Sequence, residues 1–344
     1  MLDNLLLVSK QVGVLFVLMA VGCLCNRCRL LNGVAIKGVT GLLMLIVTPC
    51  VIIHSFIQQT FSPALLGDLG WALAVAVFAH VIGSAIAFVC LRRARGARPT
   101  GGRLGEASLP DGRLGVLRFA VIFSNAGFMG LPLEYAILGA DGVFFGAMYV
   151  VVFNLVCWTW GVAVMCRGAK ATNLRSILVN PGTVGVALGL PFFLFSVNPP
   201  EVVGRPIQML ADLNTPLAMI MVGWYLAESV KCKMENVKLG GSAFSIFHYP
   251  FSIYMVAALR LLVVPLAVIG ALVGLRACVP TLNPVMAVAI VTAASAPVAA
   301  LTTVIAARFD RDVTTATGLV SGTTLLSILT MPPIVGFALW LFGR

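Results

Sequence analysis

Charge is what this sequence has least of. Asp, Glu, Lys and Arg make up only 10% of its 344 residues, and just 12 are acids. Histidine occurs three times, at positions 54, 80 and 248, in no catalytic pattern. The apolar runs contain no Asp-rich motif and no Gly-x-Gly-Asp. Intramembrane proteases and prenyl-transfer enzymes need facing acids, a Ser/His pair or an acid-rich metal site, so no enzyme, no catalytic residue and no metal are expected. Nine cysteines are scattered along the chain. Cys23, Cys25 and Cys28 cluster, but no histidine or acid stands beside them, and a reduced structural set is expected. A basic leader is missing as well: Asp3 is the only charge before Lys10, and no Ala-x-Ala site follows, so the first apolar run should stay in the protein. The longest loop, residues 92–115, repeats Gly102-Arg-Leu-Gly105 as Gly112-Arg-Leu-Gly115. With no preceding strand and no Lys-Ser/Thr ending it matches no nucleotide motif and is read as a flexible linker.

What is present is hydrocarbon-like sequence. Apolar residues make up 60% of the chain and mean hydropathy is +1.03, far from soluble averages. Runs of about 20 apolar residues, enough to cross a bilayer, recur throughout. Ten spans are expected, near 5–25, 35–57, 66–91, 116–138, 143–166, 176–197, 204–228, 249–273, 282–306 and 313–342. Nothing is left over for a soluble domain.

The net charge of +11 is spread unevenly. Eighteen of the 23 basic residues fall in alternate loops, in groups around Arg27–Lys37, Arg92–Arg118, Arg167–Arg175, Lys231–Lys238 and Arg308–Arg311. The opposite loops and the C-terminus hold only Arg205, Arg276 and Arg344, while Lys10 and Arg260 lie within spans. By the positive-inside rule this places the basic loops in the cytoplasm and both termini outside. Anionic lipid head groups account for the charge, and no nucleic acid is called for.

Four spans carry helix breakers. Ser124-Asn-Ala-Gly-Phe-Met-Gly-Leu-Pro132 puts Gly127, Gly130 and Pro132 in the middle of the fourth, and Ser295-Ala296-Pro297 interrupts the ninth. Thr48-Pro49 interrupts the second and Thr215-Pro216 the seventh, at nearly the same separation along the chain. Lipid tolerates a broken helix only where it is buried in protein or lines a cavity. Matching breaks at a matching offset predict a duplicated five-span unit, residues 1–166 and 176–344 joined by a cytoplasmic connection at 167–175. Because five is odd, the copies insert with opposite orientation. The expected fold is therefore an all-α polytopic membrane protein of ten transmembrane helices, two inverted five-helix repeats with broken, crossing helices four and nine.

At these residues the chain resembles the auxin efflux carrier family, in its bacterial branch with malonate and malate carriers. The match is most specific at Asn125-x-x-x-Met129-Gly130-x-Pro132. Asn180-Pro181, Thr215-Pro216-Leu217-Ala218-Met219, Arg260 with Pro265, Ser295-Ala296-Pro297 and the Ser/Thr-rich tenth span ending at Pro332 support it. The resemblance implies a scaffold and a mobile transport domain, an elevator-type secondary carrier of small organic anions in the inner (plasma) membrane, and a homodimer through scaffold helices as a candidate assembly. It implies no cofactor beyond a coupling proton or sodium ion. The plant members' long central loop is missing, so its phosphorylation control is not carried over. Among the competing classes, an anion channel or a sensor that binds a carboxylate without moving it stays open.

Candidate residues follow. Asn125 offers an amide to a carboxylate, or else caps the broken helix. Gly127, Gly130, Ser295 and Ala296 shape or line the crossing, where half-helix N-termini suit an anion. Pro49, Pro132, Pro216 and Pro297 break the helices. Arg260 is either an anion attractor, a partner for an intramembrane acid, or an arginine reaching the interface. Glu134 and Asp212 are candidates for binding a coupling ion, with a solvated position as the alternative. Ser321, Thr324 and Ser327 stripe the tenth span, either gluing helices or, for Ser321 and Thr324, facing substrate.

Overall fold

The computed structural model describes residues 2–92, 111–166, 181–238 and 251–343. All the described elements are helices. In chain order they are α1 (Leu2–Arg27), α2 (Gly33–Ile57), α3 (Pro63–Cys90), α4 (Asp111–Ile122), α5 (Ala126–Cys166), α6 (Pro181–Leu194), α7 (Glu201–Asp212), α8 (Asn214–Lys238), α9 (Ser252–Cys278), α10 (Pro284–Ser295), α11 (Leu301–Arg308) and α12 (Val313–Phe342). Six of these, α1, α2, α3, α5, α9 and α12, are long and apolar enough to cross a membrane. The connection 167–175, Asn180, His248, Tyr249 and the Gly102–Gly105 repeat lie outside the described residues. The second repeat, Gly112–Gly115, is not loop but the first turn of α4.

The six membrane-length helices are apolar on every side, which is how a helix behaves when one face meets protein and the other meets lipid. In α1 the buried residues Val8, Val12, Leu15, Met19, Gly22 and Asn26 form one stripe at helical spacing, while Leu6, Leu7, Val14, Val17, Val21 and Leu24 stay exposed. Helix starts are set by local chemistry. Asn32, Ser62, Asn283 and Asp312 cap α2, α3, α10 and α12 by accepting from first-turn N–H groups, each worth about 1 kcal/mol.

Prolines bend these helices more often than they end them. A π turn spans Leu43–Val47, Ala126–Gly130 and Leu259–Val263, and a proline (Pro49, Pro132, Pro265) follows each by two residues. Proline has no N–H and its ring crowds the carbonyl four residues back. Widening the preceding turn relieves that crowding without stopping the helix. Thr48 then satisfies Leu43 O with its own N–H and its hydroxyl (2.8 Å). Pro49 therefore bends α2, and Pro132 lies inside a helix whose break comes earlier, at residues 123–125.

The seventh expected span, 204–228, is two elements. Glu201, Arg205, Gln208 and Asp212 recur every three or four residues and give α7 one polar face; none of its residues is buried. The apolar stretch proper is α8, which starts at Asn214 and carries Pro216 in its opening turn. The second part of the fourth span and the fifth, in contrast, run together as α5. They are folded at Gly139, whose φ of 66° and ψ of −150° are open to glycine at little cost.

Two kinds of contact build the bundle. α1 crosses α8 at Gly22 and Gly223, where an added Cβ would strike the Ile220 and Met19 carbonyls respectively. α2 lies along α6, with Gly185 against Pro49 and Ile52 and Gly189 against Ile53 and Phe56. Phe56, Phe144 and Phe193 then join α2, α5 and α6, with ring centroids 4.7–6.3 Å apart. α3, α4, α5, α9, α10 and α12 surround the second contact, the crossing of two broken helices.

Candidate functional site

At the crossing, α4 ends at Ile122 and α10 ends at Ser295, and a short extended segment follows each. Ser124 and Val298 face each other as an isolated antiparallel bridge. Asn125 N–H donates to Pro297 O (2.7 Å), and Ala299 N–H donates to Phe123 O (3.0 Å). Each broken strand thus supplies the partners the other lost, as the absence of water in hydrocarbon demands. Thr323 of α12 adds an acceptor, taking Val298 N–H on its hydroxyl at 3.1 Å.

The two helix C-termini that end here leave carbonyls without intrahelical partners, and Arg260 collects them. It is fully buried; its Nη1 donates to Val121 O (3.1 Å) and Ile122 O (3.3 Å), and its Nη2 donates to Ala294 O. A cation facing two C-terminal dipole ends is the favourable arrangement. Tyr149 sits beside the same guanidinium and receives a hydrogen bond from Ser124 (3.4 Å). His80 packs on the Tyr149 ring with centroids 4.9 Å apart.

Beyond the bridge the chain restarts as α5 and α11. Met129 and Gly130 N–H are the first to bond back, both to Asn125 O (2.9 and 3.2 Å). The N–H groups of Ala126, Gly127 and Phe128 thus precede the helical ladder. At α11, Thr302 and Thr303 bond back to Ala299 and Ala300. Both new N-termini open on one cavity. Its polar lining residues are Thr48, Ser124, Asn125 and Asn154, and Gly127, Phe128, Phe153 and Ala299–Leu301 line it beside them. The Asn125 side chain makes no capping bond to its helix, so its amide is available to the cavity. No Lys, Arg, Asp or Glu lines the cavity among the described residues.

Of the candidates read from the sequence, Asn125 and Gly127 line this cavity. Gly130 packs on Ala293 instead, Ser295 donates to Thr292 O (2.9 Å), and Ala296 is buried beneath the bridge. Arg260 is committed to carbonyls. Ser321, Thr324 and Ser327 are buried in α12, with Ser327 donating to Thr324 O (2.6 Å). Pro297 lies in the extended segment and contributes its carbonyl. Glu134 is fully buried near the start of α5, and neither carboxyl oxygen has a hydrogen-bond partner among the described residues. Asp212 is exposed at the end of α7 and lines a second cavity with His54, Gln11 and Tyr135. Sequence reasoning does not single out Tyr149, Thr323, Phe128, Asn154 or Ala299–Leu301. Phe128 stands inside the fourth-span motif, where Asn125 and the glycines draw attention instead, and Thr323 stands beside Thr324 in the polar stripe; Tyr149, Asn154 and Ala299–Leu301 lie among apolar residues that no motif marks.

A bundle of bilayer-length apolar helices around a broken, polar crossing defines an integral membrane protein of the transporter class. Residues 7–174 and 165–335 match the membrane transport protein family, and the chain belongs to that family, whose members are auxin efflux carrier-like. An uncharacterized transporter of Methanothermobacter thermautotrophicus is 26% identical over 231 residues, covering 65% of this chain and 68% of its own.

Proposed function

We propose that this protein is a secondary carrier of small organic anions, working by elevator-type alternating access in the inner (plasma) membrane. The observation that carries the reading is the convergence of two half-helix N-termini and the uncommitted Asn125 amide on one cavity. Free N–H groups and positive dipole ends attract an anion without a fixed cation. That arrangement binds a carboxylate while leaving the remainder of the ligand to Phe128, Phe153 and the apolar wall. A dicarboxylate or an aromatic carboxylate both match this chemistry.

The reading includes ten crossings in two inverted repeats, residues 1–166 and 176–344, with the basic loops in the cytoplasm and both termini outside. Reciprocal bonds at Ser124 and Val298, and the parallel roles of the α1–α8 and α2–α6 pairs, support the repeat. α1, α2, α6 and α8 form the scaffold and provide the surface for a homodimer; the remaining helices move with the crossing. Arg260 is a positioning residue, Asn125 and Gly127 contact substrate, and Asp212 belongs to the opposite cavity.

The test is counterflow in proteoliposomes with labelled dicarboxylates and aromatic carboxylates. Saturable counterflow that Asn125→Ala reduces at least tenfold, with folding unchanged, is the expected result. Unsaturable flux would make the protein a channel, binding without flux a sensor, and full activity in Asn125→Ala would remove the site.

A further inference from the structure

Glu134 is the acid that the substrate site leaves unused, and its surroundings are specific. It projects from the first arm of α5, four residues past Gly130, and lies against Gly146 on the second arm. An added Cβ at Gly146 would collide with the carboxyl group, and one at Gly130 would stand 3.5 Å from Oε1. Two glycines therefore hollow out the space that the carboxyl fills. Gly142 reinforces the same approach, since a Cβ there would lie 2.9 Å from Glu134 O.

No donor in this hollow bonds to the carboxyl among the described residues. Tyr149 on the second arm interacts with its charge, and beside Tyr149 stand Arg260 of α9 and His80 of α3. Helices α10 and α6, both packed on α5, carry no ionisable side chain. His54 of α2 faces Asp212 across the second cavity, and Lys10 of α1 is exposed. Arg260 already serves three carbonyls. A bare carboxylate buried without a donor is costly, whereas the neutral acid fits the hollow. Ser124 connects the neighbourhood to the substrate cavity, because it lines the cavity and bonds to Tyr149.

We propose that Glu134 binds a coupling proton, which travels with the organic anion as the crossing half of the molecule changes the side it opens to. This deepens the carrier reading and rests on it. The step is one proton taken from water onto a Glu134 carboxyl oxygen on one side, and its return to water on the other. No other bond forms or breaks. Net symport then has two forms that change sides, the carrier holding both proton and anion and the carrier empty of both, so that each anion takes one proton across and the carrier returns without it.

Glu134→Gln keeps the shape and removes the proton. In proteoliposomes, an inward pH gradient of one unit should let the wild type accumulate the anion about tenfold, the ratio set by one proton per anion. Glu134→Gln should retain counterflow but lose accumulation, and a trapped pH dye should show proton uptake only with the wild type. Gly146→Ala, which crowds the carboxyl, should shift the pH optimum while leaving counterflow measurable. Accumulation that persists in Glu134→Gln would overturn the proposal. So would a sodium-dependent stabilisation of the wild type that the variant lacks, since that assigns a metal cation instead. If neither protein moves any carboxylate, the carrier reading fails on its own. Infrared difference spectra of the purified protein across pH then decide the proton site: a protonated-carboxyl band lost in Glu134→Gln supports it, and identical spectra remove it.

Discussion

Where α1 meets α8, the backbones approach until Gly22 and Gly223 leave no room for a Cβ, and unbroken helices add side-chain bonds from Cys23 to Gly223 O and from Asn26 to Trp224 O and Glu228. Where α4 meets α10, the chain is broken, and the contact is made of Asn125 N–H, Ala299 N–H, Thr323 and a buried arginine. The first contact joins two intact helices by close packing of small residues with a few side-chain hydrogen bonds added, the usual currency between helices in lipid. The second is held by hydrogen bonds that water cannot replace. Packed glycines bring two backbones into direct contact, which suits a scaffold. A hydrogen-bonded crossing keeps backbone groups near a cavity, so it can bind a ligand, but it depends on every partner being present.

That contrast can be broken from either side. Arg260→Met should have the largest effect. Three carbonyls lose their shared donor, and each buried acceptor left unsatisfied costs about 1–3 kcal/mol. Thermal unfolding in detergent should fall sharply and transport should vanish; a stable, active Arg260→Met protein would show that the crossing does not need the cation. Gly223→Val comes next, at about 1–3 kcal/mol for overpacking. It should lower the unfolding temperature and the yield of folded protein, while anion binding by whatever folds stays intact. Reduced affinity in the folded fraction would mean that the two regions are coupled.

Thr323→Val sharpens the comparison further, because it removes the acceptor of Val298 N–H and leaves a buried donor unpaired. A loss of about 1–2 kcal/mol is expected, together with weaker anion binding measured by thermal shift against a carboxylate panel. Thr48→Val is the matched control. Leu43 O keeps the Thr48 N–H when the hydroxyl goes. The stability change should therefore stay at about 0.5 kcal/mol, the low end for a single hydrogen bond. Equal losses at Thr48 and Thr323 would erase the distinction between a bend and a break.

Much of this is readable without coordinates. The fourth-span motif locates the break to within a few residues, and Pro297 marks its partner. Asn125 and Gly127 stand out in that motif and line the cavity. Arg260 is legible as an oddity but not as a clamp, since its three carbonyl partners come from two helices and a carbonyl leaves no trace in a side-chain pattern. Tyr149 and Thr323 escape notice for a related reason: in a membrane helix, lipid-facing and core-facing positions are both apolar, so periodicity does not separate them. The seventh span shows the opposite failure. Its polar face at Glu201, Arg205, Gln208 and Asp212 is visible, yet a hydropathy window running into α8 absorbs it.

By itself the sequence determined that the chain is helical and lives in a bilayer, because hydrocarbon solvates only apolar side chains and satisfies no backbone group. It also determined where helices bend or stop, since proline and glycine act on their own turn. The tertiary structure decided which break answers which. Ser124 and Val298 lie far apart along the chain and meet only in the fold, so an orphaned N–H or C=O finds its partner when folding brings the second break beside it. It also decided that Arg260 holds the crossing rather than lining the cavity, and that Glu134 sits between two glycines.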